Sequence, residues 1–312
     1  MSDTTLIQTR SDAYALLGQI LCDGLTPESL PLVMPDGEMR FDADLLEAER
    51  YRVFGLNVYP YAGVFLGADG LMGGTEAEAS AAFYARVKWD APSHDADHIG
   101  MQLGVLAWLT GAEADALADG KPGQQARIQA LRRDVLDRRV LTWLPMLARA
   151  VASQESRVYE RVIGLALDLA AEDRAELGEG ESRPAFVLPT PPDVLADPKT
   201  SLRDIASVLM TPAWAGVYLS REDVGRLARR HHLPSGFTDR KTLLHNVFRA
   251  AVDYGVFAAL IADLCQTVTG WGDYFHQQAN NPVLQAGCLV WARQTERTLD
   301  LLRHIESSSG YS

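Results

Sequence analysis

The densest run of ionisable side chains is Ser93-His94-Asp95-Ala96-Asp97-His98. On a helix, His94 and His98 would stand one turn apart on one face. That spacing lets two imidazoles share a zinc ion, and Asp95 takes the place of the general base in the HExxH pattern. A metal-dependent hydrolase using His94 and His98 is therefore one reading. Against it, Asp95 is one methylene shorter than Glu and reaches less well toward a metal-bound water. No third ligand follows at useful spacing, since Glu113 lies beyond Gly111 and the next histidine is His231. The structural alternative is that Ser93, Asp95 and Asp97 cap a helix start, where carboxylates stabilise the unpaired amides by about 0.3–1 kcal/mol each.

Other chemistry is thinly represented. Arg226, Arg229 and Arg230 in RLARRHH could form a basic patch, but the run is short, has no interleaved aromatics and reads better as a solvated helix end. The chain has no GxxxxGK, no GxGxxG between strand and helix, and no GxSxG elbow. Cys22, Cys265 and Cys288 are far apart and in no CxxC pair, so they read as packed thiols. An enzyme is not expected, and neither a metal nor another cofactor is.

Charge is divided unequally along the 312 residues. Residues 1–200 carry 18 Lys and Arg against 31 Asp and Glu, net −13, whereas residues 201–312 carry 11 against 10. An acidic surface of that kind repels a phosphate backbone and favours a basic partner. Charge apart, the uncharged apolar stretches, such as 254–262, are too short to span a bilayer. The first twelve residues have no apolar core and no small-residue cleavage site, which predicts a cytoplasmic protein.

The elements that must carry these residues have helical spacing almost throughout, so the expected fold class is all-α, a multi-helix bundle with more than four helices. The first helix is expected from Ser11 to Gly24, with Ser11 or Asp12 as N-cap. The second is expected over 42–54, burying Leu45, Leu46, Tyr51 and Phe54. A third opens at a Thr75/Glu78 capping box and buries Ala82, Phe83 and Val87. The fourth starts after Pro92, carries Asp97 and His98 in its first turn, and stops at Gly111. A long helix over 124–151 is expected to kink at Pro145, followed by one over 153–177. Residues 178–200, with five prolines, read as a linker or crossing loop. Helices then follow over 201–210, 221–231 (capped by Ser220 and Asp223) and 239–269. The last runs from Asn281 and Pro282 to about Ile305, leaving SSSGYS loose. This gives domains at 1–177 and 201–312, and the apolar faces of the second, such as Val247, Val256, Phe257, Leu260, Ile261 and Leu264, call for packing against the first. PYAGVFLG at Pro60 to Gly67 echoes AWAGVYLS at Ala213 to Ser220, either by duplication or by chance.

Between Tyr51 and Leu109 the chain resembles the TorD/DmsD family of cytoplasmic chaperones for molybdenum-cofactor oxidoreductases. The resemblance rests on Tyr51 and Phe54, on Tyr59-Pro60-Tyr61-Ala62-Gly63-Val64-Phe65, and above all on Asp97-His98-Ile99 followed by Leu103. Trp143 and Tyr159 fall where the family places later helices, so the likeness covers roughly 10–177. Three departures stand out: His94-Asp95 replaces Glu-Pro before the Asp-His pair, Gln102 replaces a frequent Glu, and Gly63 replaces Ser. Residues 201–312 have no counterpart in the family's short pattern, which makes this an extended member. The resemblance implies an all-helical, non-enzymatic chaperone, monomeric or homodimeric. Its implied partner is the apo catalytic subunit of a molybdopterin oxidoreductase together with that subunit's twin-arginine leader, with no nucleic acid and no stable membrane insertion. It further implies that Asp97, His98, Tyr59, Tyr61, Phe65 and Gln102 form the peptide-binding site.

Overall fold

The computed structural model describes residues 3–35, 42–93, 95–178, 186–196, 199–236 and 238–309. These form fifteen α-helices and no strand. None of the described helices is long and apolar enough to cross a membrane. Two compact units divide the chain, and the division is not a single cut. Unit 1 comprises 1–55, 59–63 and 71–186; unit 2 comprises 56–58, 64–70 and 187–312.

Unit 1 begins with α1 (Asp3–Asp23), α2 (Leu30–Val33) and α3 (Ala43–Arg50). α1 starts eight residues before the expected cap. Ser11 is buried in mid-helix and donates to the Ala107 carbonyl, while Gly24 (φ +101°) ends the helix as read. Asp42 caps α3 by accepting from the Leu45 amide, after which the chain widens into a π-turn over Tyr51–Gly55. Leu46 and Val53, on one face, are buried and Phe54 is half-buried, whereas Tyr51 (59% exposed) and Leu45 face out, contrary to expectation.

The short α4 (Ala62–Leu66) begins in unit 1 and ends in unit 2. α5 (Gly74–Val87) has Gly73 as N-cap with no side-chain cap, so the Thr75/Glu78 box does not form; Phe83, Tyr84 and Val87 are buried and Ala82 is exposed. α6 (Ile99–Ala118) runs straight through Gly111. It is apolar on nearly every side because it is the central helix of this unit. α1 packs along it closely, and a Cβ at Gly18 would lie 2.9 Å from the Gly100 carbonyl oxygen.

α7 (Pro122–Val135) passes into a second π-turn, Leu136–Val140, in which the Leu141 amide reaches the Leu136 carbonyl at 2.9 Å. Pro145 does not kink a continuous helix, for it lies in the first turn of a new one, α8 (Leu144–Ala152), where its missing N–H costs nothing. α9 (Arg157–Glu176) closes the unit with Ser156 as its cap. At the centre, buried Arg132 pairs with Glu113 and Asp173, and Tyr14 donates to Asp173 at 2.9 Å, so one ionic cluster ties α1, α6, α7 and α9.

Unit 2 holds α10 (Leu202–Leu209), α11 (Pro212–Ala215), α12 (Arg221–Arg230), α13 (Arg240–Asp253), α14 (Phe257–Gln278) and α15 (Pro282–Ser309). α10 and α12 open on the capping boxes Ser201/Asp204 and Ser220/Asp223. The expected helix over 239–269 is two helices, because Gly255 (φ +70°) turns the chain between α13 and α14. α14 and α15 form a hairpin around Trp271, Phe275 and Trp291, and α15 continues four residues past Ile305. The basic run ending α12 is neutralised locally, with Arg226 on Asp223, Arg229 on Glu222, and Arg230 and His231 on Asp263.

Candidate functional site

Asp97 and His98 do not lie in the first turn of α6. They occupy the tight bend before it, and His98 is the N-cap residue itself. The bend is pinned from several directions. The His98 amide donates to the Asp95 carbonyl, and the Tyr84 hydroxyl donates to the Ala96 carbonyl at 2.7 Å. Residues 60–62 run beside it in antiparallel fashion, with the Ala62 amide on the Asp97 carbonyl, the Ile99 amide on the Pro60 carbonyl and a bridge between Tyr61 and His98.

The Asp97 carboxylate is 1% exposed and accepts the Gly63 amide at 2.9 Å. Burial raises its pKa, while the amides of Gly63, Asp97 itself and Gly73 pull the other way. A carboxylate surrounded by backbone N–H groups is a fastener of loops. The fit explains Gly63, since a Cβ there would come 2.6 Å from the Gly73 carbonyl oxygen and 2.9 Å from that of Leu71. Asp97 thus ties together 60–63, the turn 71–74 and the start of α6.

His98 is 9% exposed, with its Nδ1 accepting the Gly100 amide at 3.1 Å. The ring proton therefore sits on Nε2. Tyr61 packs edge-on against the ring at 4.9 Å, and Cys22 Sγ lies 3.7 Å from Nδ1. Burial lowers the His98 pKa to about 4, with Asp95 opposing the shift. The same burial, aided by Asp23, raises the Cys22 thiol to about 11, so it is no nucleophile at neutral pH.

The remaining expected residues are distributed unevenly. Tyr59 and Tyr61 are half-buried beside the bend, and the Tyr61 hydroxyl bonds to Asp95. Gln102 is buried one turn further along α6, where its Oε1 accepts from Trp143 Nε1 at 3.1 Å. Phe65 belongs to unit 2 and stacks on Tyr218 in its interior. Sequence reasoning weighed Asp95, which is exposed, only as a metal-site base or a cap, and passed over Leu71 (62% exposed), Met72 (58% exposed) and the half-buried Glu76. Burial raises the Glu76 carboxyl, Arg139 lowers it, and Asp97 adds to the rise. The signal for this missed surface was Gly73-Gly74, a turn carrying two large apolar residues immediately before it.

For the metal reading, His94 lies outside the described residues, and His98 Nδ1 is already engaged by a backbone amide. Among the described residues no three His, Cys, Asp or Glu side chains gather as a metal site.

Residues 37–149 match the family model described as "Nitrate reductase delta subunit". A "Selenate reductase assembly chaperone protein" of Thauera selenatis is 37% identical over 85 residues, covering 27% of this chain and 42% of that relative. The chain thus spans less than half the length of the curated relative it matches. No solved structure matches. The matched stretch falls within the part of the chain, roughly 10–177, that resembles the TorD/DmsD family. The cavity of about 620 Å³ among Pro191, Val194, Trp214, Arg297, Leu301 and His304 in unit 2 lies outside residues 37–149.

Proposed function

We propose that this chain is a cytoplasmic, non-enzymatic assembly chaperone that holds the apo catalytic subunit of a molybdopterin oxidoreductase by its twin-arginine leader until the cofactor is loaded. The observation that carries this reading is the family match over 37–149, which includes both Tyr59 to Phe65 and the Asp97-His98 bend to which residues 60–63 are bonded. The printed name of the Thauera relative, an assembly chaperone of another reductase, supports the same class.

Surface chemistry at the bend suits such a ligand. Asp95 and Glu76 supply carboxylates for guanidinium groups, which pair with them in a planar, two-pronged fashion. Leu71 and Met72 supply exposed apolar area for the hydrophobic part of a leader, and Tyr59 and Tyr61 are half-buried. In this arrangement Tyr59 and Tyr61 touch the peptide, Asp97 and His98 hold the loops that present it, Gln102 shapes the interior of unit 1 behind it, and Phe65 anchors the chain in unit 2.

The test is calorimetry with a synthetic twin-arginine leader at two ionic strengths. Binding in the micromolar range is expected, about −8 kcal/mol, weakening as salt rises and again when both arginines become glutamine. Unchanged affinity with the glutamine leader would remove the ionic part of the reading, and no binding at millimolar leader would remove the reading itself. Metal analysis of the purified chain tests the hydrolase alternative: stoichiometric zinc lost on replacing His94 or His98 would overturn the chaperone assignment.

A further inference from the structure

Residues 56–70 serve the two units in turn. Unit 2 includes 56–58 and 64–70, and unit 1 includes the five residues between them. Within unit 2 the grip is made largely by Tyr218. Its hydroxyl donates to the Asn57 carbonyl at 2.7 Å, and its ring stacks on Phe65 with centroids 5.1 Å apart and 30° between planes. Asn57 Oδ1 in turn accepts the Glu222 amide at 3.1 Å, and Lys241 Nζ donates to the Asp69 carbonyl at 3.0 Å. Tyr218 and Phe65 are both buried. Within unit 1 the five intervening residues make the bonds already described, Gly63 to the Asp97 carboxylate and Ala62 to the Asp97 carbonyl.

The sequence echo acquires a meaning here. Aligned from Pro60 and from Ala213, the two segments set Phe65 opposite Tyr218 at their sixth positions, and in the fold these two rings meet. The backbones differ, for α4 runs through Gly63 whereas α11 ends at Gly216 (φ +68°). The echo is therefore a pair of matched contact residues and not a repeated element.

We infer that Tyr218 is a positioning residue for the Asp97-His98 bend, acting along the covalent chain from Asn57 and Phe65 to residues 60–63. Only one residue separates Gly63, whose amide the Asp97 carboxylate holds, from the Phe65 ring that Tyr218 holds. A stretch fixed at both ends has few conformations in which Gly63 meets Asp97 Oδ2, and a hydrogen bond weakens steeply once its geometry is lost. Released at Asn57 and Phe65, the same stretch would depend on its unit 1 ties alone: Asp97, the Ile99 amide on the Pro60 carbonyl, and Tyr61 against His98 and Asp95. The inference rests on the proposed function only for its binding consequence.

The experiment uses the full chain and amide hydrogen exchange read residue by residue, with Tyr218→Phe removing the hydroxyl alone and Tyr218→Leu removing the ring as well. Tyr218→Phe is expected to speed exchange of the Ala62 and Gly63 amides by about 5- to 10-fold, the factor that one net hydrogen bond is worth, while amides inside α6 to α9 keep their rates. Twin-arginine leader affinity should fall by a similar factor. If Tyr218→Leu fails to fold, the phenylalanine variant decides. Faster exchange confined to α10 to α15, with Ala62 and Gly63 unchanged, would overturn the inference and leave Tyr218 a core residue of unit 2. Faster exchange at Gly63 with leader affinity unaltered would uphold the positioning role and count against the proposed leader site.

Discussion

Replacing His98 by Asn separates the two things that this side chain does. Asn is among the best N-cap residues, and its side-chain oxygen can accept the Gly100 amide as His98 Nδ1 does, but it does not titrate. In the folded chain His98 is held to about 4 by burial, and a proton on Nδ1 would also set two donors face to face. Unfolded, the ring returns to about 6.5. As pH falls below 6.5 the unfolded chain therefore binds a proton that the folded chain refuses, so stability is fully present above that value and is lost toward pH 4. For these two values the loss between pH 7.5 and pH 5 is about 2 kcal/mol, and the whole interval is worth about 3. Urea unfolding of wild type and His98→Asn across this range, with all other titrations common to both, should give a stability difference that moves by about 2 kcal/mol in favour of the variant at the acid end. Parallel curves within about 0.5 kcal/mol would refute the reasoning, since His98 would then titrate alike in both states and could not be a buried acceptor. Imidazole proton shifts followed by NMR give the folded value directly.

Two further changes test the interior of unit 1. Asp97→Asn can keep the Gly63 bond through its carbonyl but turns an amide group toward other backbone donors, and should cost about 1–3 kcal/mol by urea unfolding, with Gly63 and Gly73 exchange accelerated. Arg132→Met takes the central cation from the buried carboxylates of Glu113 and Asp173, leaving them Gln129, Tyr14 and Arg10, and should cost about 3–5 kcal/mol, whereas adding Glu113→Leu and Asp173→Leu should recover part of the loss. A triple variant no more stable than the single one would show that the cluster contributes more than charge compensation.

The features legible in the sequence are those set by chemistry within one turn of chain. Ser220 with Asp223 satisfies helix-start amides from within four residues and forms as read; Ser201 with Asp204 closes the same kind of box, which was not read, and the Thr75/Glu78 pair does not close one. The all-helical class was equally legible, because apolar spacing repeated over most of the chain. What failed depends on distant partners. Gly111 reads as a stop but lies within α6 beside Ser11, where a Cβ would sit 3.2 Å from the Ser11 hydroxyl. Tyr51 was read as a core residue and faces out, because the buried face runs through Leu46 and Val53 and Tyr51 stands off it, a choice of face that the partners across the unit decide. Asp97 looks like a helix-start charge, whereas its partners are amides 34 residues earlier and in the turn before α5. The pair Asp97-His98 was legible as important; the direction in which its side chains point was not.

That direction governs how a basic ligand could be read at this bend. Bringing the Asp97 carboxylate to a guanidinium would mean exchanging its backbone amides for the new partner and leaving the Gly63 amide without one. Each buried donor so abandoned costs about 1–3 kcal/mol, as much as a charge-assisted hydrogen bond returns. His98, neutral at physiological pH, offers no charge in exchange. Asp95, exposed and within reach of the Tyr61 hydroxyl, and the half-buried Glu76 can meet a cation without breaking the fold. Salt dependence of binding would then follow Asp95 and Glu76, while Asp97 and His98 would govern whether any binding surface exists. The residues with the clearest sequence signature and those in contact with the ligand would be two different sets, held together by the five residues from Tyr59 to Gly63.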